Sequence, residues 1–244
     1  TESCIHVSME LMLLSMINYL HRIGHGHFYP IPSYELYAIV SHHTDDRKTL
    51  EVLRQPLETG SVTISRATAS VTYPSNFMLV CALNPCPCGY HTDKQKICRC
   101  SPFQIQNYLA KVSGPLLDRM DIQIEVPSVR YSDLISERET QSSGAVREKV
   151  TTARAMQKER FKGQSILANA HMNSKQVKKY CVLDKAAESI LYQAITGLGV
   201  SARGHSKILK VARTIADMDE SKAIKEEHVS EAIQYRSLDR TLWK

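Results

Sequence analysis

Four cysteines crowd into fifteen residues, as Cys86-Pro-Cys88 and Cys98-Arg-Cys100 with nine residues between the pairs. Two short knuckles of this kind can place four thiolates around one tetrahedral Zn²⁺. The loop between them is polar (His91, Thr92, Asp93, Lys94), with Gly89 to allow a turn. Such a loop has little core of its own, and a metal would hold it together. A redox pair or unliganded thiols are the competing readings. With four protein ligands no coordination position is open for catalysis, so the expected role is structural. Cys4, Cys81 and Cys181 are isolated and read as packing residues. An odd total of seven, with four clustered, fits a metal site in a reducing compartment better than a disulfide framework.

Three polar groups sit where a ligand could be met. Asn84 ends the apolar run Phe77–Leu83, and the C-terminal edge of an α/β sheet commonly faces a ligand crevice. An Asn-Pro turn explains it equally well. Arg119 lies between Asp118 and Asp121 in SGPLLDRMD. Spacing alone favours a structural ion pair over an arginine finger reaching a phosphate on a neighbouring subunit. Arg203 follows Ser201-Ala202 at an expected helix start, an anion-friendly position, or else belongs to a solvated basic face with Lys207, Lys210 and Arg213. The pairs His25/His27 and His42/His43 have no partner at a recognisable ligand spacing and read as loop residues.

The elements that must position these groups follow from pattern. Residues 9–20 suit a short helix, and 21–45 read as loop with a strand near Leu36–Val40. Leu50, Leu53 and Leu57 have helical spacing, closed by Pro56 and Gly60. Ser61–Ser65 and Ser70–Tyr73 alternate and are expected as two strands joined near Arg66–Ala69. FMLVCAL reads as a strand buried on both faces. Ser101-Pro102 should open a helix to about Val112. Ile122, Ile124 and Val126 alternate as a further strand. Beyond Ser142-Ser143 the pattern is helical: Val146, Val150, Ala153 and Met156; then Ile190, Leu191 and Ile195, ended by Gly197 and Gly199; then Ile208, Val211, Ala212 and Ile215; then Val229, Ala232 and Ile233. An α/β segment followed by about 100 helical residues suggests two domains, with a boundary near 128–143.

Composition sets the frame. The 244 residues are 43% apolar and 23% charged, ordinary for a globular protein, and no apolar run reaches the length of a membrane span. Met9–Ile17 makes a poor signal peptide. Net charge is +6, but residues 1–45 carry one basic residue against four acids, so the remainder carries +9. A positive field suits nucleic acid or nucleotide phosphates, or simply a soluble basic surface.

Taken in order, LEVLRQPLETG, VTISRA, FMLVCALNPCPCG, CRCSP, SGPLLDRMDIQIEVP, SARGHSKILKVARTIADM and EAIQYRSLDR resemble the bacterial magnesium-chelatase-like AAA+ ATPases of the ComM/YifB type, over about Asp46 to Trp243. The resemblance implies an AAA+ α/β core and a helical lid, a hexameric ring, ATP and Mg²⁺ bound between subunits, and action on single-stranded or branched DNA in the cytoplasm. The ComM type is associated with branch migration in recombination and natural transformation. On this resemblance Asn84 matches sensor 1, Arg119 the arginine finger acting in trans, and Arg203 the sensor 2 arginine. Arg66 lies where related rings carry a DNA-contacting hairpin, and Cys86, Cys88, Cys98 and Cys100 match the family's cysteine knuckles.

Two family motifs are missing. No G-x-x-x-x-G-K-[ST] loop occurs, and Val40-Ser41 stand where the Walker B Asp-Glu should fall. The expected organisation is therefore an unmatched segment 1–45, a partial AAA+ core 46–140 and a helical lid 141–244. The break near residue 46 points to a fused or out-of-frame segment, with the upstream DNA encoding the Walker motifs in another frame. Without the missing strands of the core, Phe77–Leu83 and Ile122–Val126 should lack sheet neighbours. A zinc-containing module that binds DNA or another subunit is the non-enzymatic alternative.

Overall fold

A computed structural model describes residues 36–41, 47–66, 69–93, 95–126, 141–198 and 200–236. The helix expected over 9–20 and the four loop histidines lie outside these residues. The chain divides into two compact units, Thr1–Arg119 and Met120–Lys244.

In the first unit, β1 (Leu36–Ser41) runs parallel to β4 (Phe77–Ala82), with Leu36 opposite Phe77 and Ser41 opposite Ala82. A parallel pair needs a long crossover. Here it consists of α1 (Arg47–Val52), α2 (Arg54–Thr59) and the antiparallel hairpin of β2 (Ser61–Arg66) and β3 (Ala69–Pro74). Thr63 pairs with Thr72 and Ser65 with Ser70 through hydroxyl contacts of 2.9 Å. Gly60 makes the corner between α2 and β2. Its φ of +63° is the left-handed conformation that favours glycine, its N–H donates to the Pro56 carbonyl, and a Cβ there would push the Asn76 side chain aside.

Two expectations need correction. β4 is a strand, but it is not buried on both faces. Met78 and Val80 are each 47% exposed, while Phe77 and Leu79 are half-buried. The strand has β1 along one edge, and among the described residues no second strand pairs with it. A run that is apolar throughout hides which face is covered. The expectation that β4 would lack a sheet neighbour also fails, since β1 supplies one. Ile122–Val126 forms no strand. Ile122, Ile124 and Val126 face outward, and Gln123 between them is buried, its N–H donating to the Tyr235 carbonyl at 2.7 Å. Glu125 is exposed as well, so burial does not alternate along the segment and Gln123 is its one inward residue.

Downstream of β4, α3 (Pro102–Leu109) starts at Ser101, whose hydroxyl accepts from Gln104 N while Ser101 N donates to Gln104 Oε1. The short α4 (Gly114–Leu117) is capped by Ser113 and buries Leu116 and Leu117 just before Arg119.

The second unit is helical: α5 (Ser143–Arg160), a 3₁₀ turn at Asn169–His171, α6 (Ser174–Tyr180), α7 (Lys185–Leu198), α8 (Ala202–Met218) and α9 (Glu226–Gln234). Gly197 lies inside α7 rather than ending it. α6 has no forerunner in the sequence pattern. Its signal is the Asn173–Gln176 capping box, because Val177 is its single buried residue. Ile208, Ala212, Ala216, Ile224, Val229 and Ala232 form the centre of the core, all at most 1% exposed. The segment after Met120 is strapped to this unit. Arg236 Nη1 donates to the Met120 carbonyl at 2.6 Å, and Lys207 Nζ pairs with Asp121 at 2.6 Å.

Inside that core sits a charge. Asp217 is fully buried and accepts from Arg160 (2.5 and 2.6 Å), Arg213 Nε (3.1 Å) and Asn169 Nδ2 (2.8 Å). Removing it would leave two arginines facing each other without a counter-charge. Asp217→Asn should therefore destabilise the helical unit by about 3–5 kcal/mol, read as a lowered urea midpoint of the helical signal. A change below about 1 kcal/mol would show that the network contributes little.

Candidate functional site

The first knuckle cysteine, Cys86, lies four residues beyond the end of β4. Cys86 is fully buried; Cys88, Cys98 and Cys100 are partly so. Gly89, at φ +80°, turns the chain back, its N–H donating to the Cys86 carbonyl at 3.0 Å. The Asp93 carboxylate accepts from Gln95 N (2.7 Å) and Lys96 N (3.1 Å) and shapes the far end. Little apolar matter supports this loop. Ile97 is 88% exposed, and Lys96 covers the Tyr90 ring at 4.8 Å.

The four sulfurs lie within 4.8 Å of one another, with Cys86–Cys88 at 3.3 Å, Cys86–Cys98 at 3.7 Å and Cys88–Cys98 at 3.6 Å. A tetrahedron with metal–sulfur bonds of about 2.3 Å has sulfur–sulfur edges of about 3.8 Å. The cluster is thus of the right size for one thiolate-bound metal ion. Backbone N–H groups of Tyr90 and Arg99 pull the Cys88 thiol down to about 6, which favours its thiolate. Loss of hydration, with the neighbouring sulfurs, pushes Cys100 up to about 12. One ready anion beside a thiol that resists ionising is an arrangement a cation would complete.

Asn84 is exposed between β4 and the knuckle, and the Tyr108 hydroxyl of α3 bonds to its main chain. The sheet, the metal loop and α3 therefore meet at this residue. Arg119 is one-tenth exposed. Its guanidinium pairs with the Glu58 carboxylate and donates to the Pro115 carbonyl at 2.7 Å. Glu58, on α2, is the site neighbour that sequence reasoning missed. The pair spans 61 residues, and the nearer Asp118 and Asp121 drew attention instead. Asp121 pairs with Lys207.

Arg203 is the second residue of α8 and is exposed. The Ser201 hydroxyl caps Gly204 N at 3.0 Å, and Gly204 is packed so closely that a Cβ would meet Val200 at 2.7 Å. Asn84 and Arg119 belong to the first unit, Arg203 to the second. Arg66 ends β2, opposite Ala69 at the hairpin tip.

Comparisons with known proteins follow the same order along the chain. A family model described as magnesium chelatase, subunit ChlI, matches residues 42–134, and one described as magnesium chelatase, subunit ChlI C-terminal, matches residues 140–236. The competence protein ComM of Haemophilus influenzae is 43% identical over 200 residues, covering 82% of this chain and 38% of its own length. The uncharacterized protein YifB of Escherichia coli is 40% identical over 199 residues, covering 81% and 38%. The uncharacterized protein Mb2921c of Mycobacterium bovis is 33% identical over 187 residues, covering 77% and 37%. The chain thus spans under two-fifths of the length of these relatives.

The purified protein should carry one equivalent of a thiophilic divalent metal, measured by elemental analysis. Cys98→Ser should lose most of it. Because Cys100 is protonated at neutral pH without a metal, loading the metal-free protein should release protons and tighten from pH 6 to pH 8. Uptake that is independent of pH, or retained in Cys98→Ser, would count against a four-thiolate site.

Proposed function

The chain belongs to the magnesium-chelatase-like family that includes ComM and YifB, and from that membership we propose that its residues supply the sensor, trans-acting and lid elements of an ATP-driven, DNA-remodelling AAA+ ring in the cytoplasm. The observation that carries the reading is the pair of family matches, core then C-terminal, running in order over a chain with no Walker A loop. Such a ring is hexameric and moves single-stranded or branched DNA, as branch migration in recombination and natural transformation requires.

In this reading Asn84 is sensor 1, orienting the water that attacks the terminal phosphate. Its place at the end of a parallel strand, anchored by Tyr108, supports that role. Arg119 is the finger offered to the nucleotide of a neighbouring subunit. Arg203, at the N-terminus of a 17-residue helix, is sensor 2, where the positive end of the helix adds to its charge. Arg66, beside the hairpin tip, meets DNA phosphate. Zinc is the metal of the knuckle, since four thiolates in a tetrahedron suit it. Cys86, Cys88, Cys98 and Cys100 would hold it, and it would fix the loop that follows Asn84.

The 244 residues do not hydrolyse ATP by themselves. β1 lies beside β4, where the resemblance leads us to expect the Walker B strand, yet it ends in Val40-Ser41, just upstream of the family match that begins at residue 42. Neither is a carboxylate, so the acid pair that holds Mg²⁺ and activates water has no counterpart there. That same lack favours the second reading, a zinc-containing module that binds DNA or another subunit without catalysis.

ATP binding and turnover of this chain, with and without single-stranded DNA in zinc-containing buffer, should both be absent. Turnover that Arg119→Ala abolishes would show that other residues replace the Walker loops, and would overturn the assignment of β1.

A further inference from the structure

The charge of the helical unit is lopsided. Residues 147 to 179 hold nine basic and two acidic residues, while residues 180 to 236 hold eight of each. The whole positive excess therefore falls on α5, the turn after it and α6.

On α5 the excess is organised. Arg147, Thr151, Arg154 and Lys158 recur at spacings of four, three and four, and are all exposed. At 3.6 residues per turn they fall within an arc of about 60° and make a stripe about 16 Å long. Glu148 and Glu159 lie about a quarter-turn further round. The face that packs inward is carried by Ala153 and Gln157. Among the described residues no carboxylate pairs with Arg147, Arg154 or Lys158. Arg160, by contrast, turns inward to Asp217. Lys175, Lys178 and Lys179 on α6 are exposed as well. α6 is tied to the end of α5 through Gln164, which donates to Tyr180 Oη (3.1 Å) and accepts from Gln176 Nε2 (2.8 Å).

Three exposed cations on a rigid rod, with no acid among them in the stripe, hold a standing positive potential. Repulsion of this sort is relieved by a polyanion with regularly spaced charges. The stripe offers no aromatic platform on which unstacked bases could lie. Tyr180 is the nearest candidate, and it is engaged edge-on by Phe161 at 5.6 Å. It also lacks the large apolar side chains with which a basic helix enters a membrane surface, since its flank holds only Val146 and Val150.

We propose that the Arg147–Arg154–Lys158 face of α5 is a docking surface for the phosphate backbone of duplex DNA, read without regard to sequence. The proposal rests on the DNA half of the function proposed above, and not on its ATPase half. It places a DNA contact on the helical unit, separate from the β2–β3 hairpin.

The test is fluorescence anisotropy of the full chain with a labelled duplex of roughly 30 base pairs, from about 50 to 200 mM salt. The variant Arg147→Gln/Arg154→Gln/Lys158→Gln should bind about tenfold or more weakly, with the slope of log K against log salt flattened by about 2–3. Lys185→Gln/Lys222→Gln/Lys225→Gln removes the same net charge from the balanced half. It should stay within about twofold of the wild type. All six side chains are exposed, so unchanged melting curves are expected for both variants. Equal weakening by the two triples would reduce the effect to net charge and overturn the proposal. So would undiminished binding by the α5 triple, or binding lost only in Arg66→Ala. Anionic phospholipid vesicles run alongside: capture by vesicles with the same dependence on the α5 residues, and none by duplex, would assign the face to a membrane and refute the DNA reading.

Discussion

A carboxylate with no access to water organises the helical unit. Asp217 lies on the inner face of α8, and its oxygens are claimed by Arg160 at the end of α5, Arg213 one turn back on α8, and Asn169 in the 3₁₀ turn. Arg213 in turn donates to the Lys222 and Ser221 carbonyls after α8. Burial acts to lower the Arg213 pKa, and the carboxylate opposes that. One acid thus ties the end of α5 and the 3₁₀ turn to α8 and the chain just after it, about 50 residues on. A hydrophobic contact would tolerate sliding; this one does not, because any shift strands a buried charge. The register of α5 on α8 is set here, and with it the direction in which the rest of α5 projects.

That constraint explains what pattern reading could and could not see. Ile208, Ala212, Val229 and Ala232 were legible because they alternate with polar residues at the helical period, and they form the core. Val146 and Val150 share the spacing of Ala153 and Met156, but they are 43% and 44% exposed. The apolar stripe of α5 is continuous while its packing ends near Ala153, since only the half close to Arg160 is held against α8. Periodicity reports which residues share a face, not how far along the helix that face is covered. Asp217, Arg160 and Asn169 look in sequence like ordinary surface residues. Their partnership becomes visible only when α5, the 3₁₀ turn and α8 are brought together.

The first unit shows the same division between local and distant signals. Its hairpin, the glycine corner at Gly60 and the helix start at Ser101-Pro102 were all readable, because each is settled within a few residues. The cysteine knuckles were readable for the same reason. Asn84 was readable only as a strand end, and Tyr108 supplies the reason it is fixed. Glu58 was invisible. Arg119 has two acids close in sequence, yet it pairs with a carboxylate on α2, while Asp121 pairs with Lys207.

The position of Arg119 follows from how the flanking residues are held. Before it, Ser113 caps α4, and Leu116 and Leu117 are buried in the first unit. After it, the Met120 carbonyl, Asp121 and Gln123 are each bonded to the helical unit, through Arg236, Lys207 and Tyr235. Arg119 is thus the last residue of one compact unit, immediately before the first residue of the other. Its side chain meets both the Glu58 carboxylate and the Pro115 carbonyl. Glu58 is 42% exposed, so its hold on Arg119 is an ion pair partly screened by water, weak beside the sealed pair at Asp217. The protein contains both kinds of arginine: Arg160 and Arg213, locked around a buried charge, and Arg119, paired with a part-exposed carboxylate.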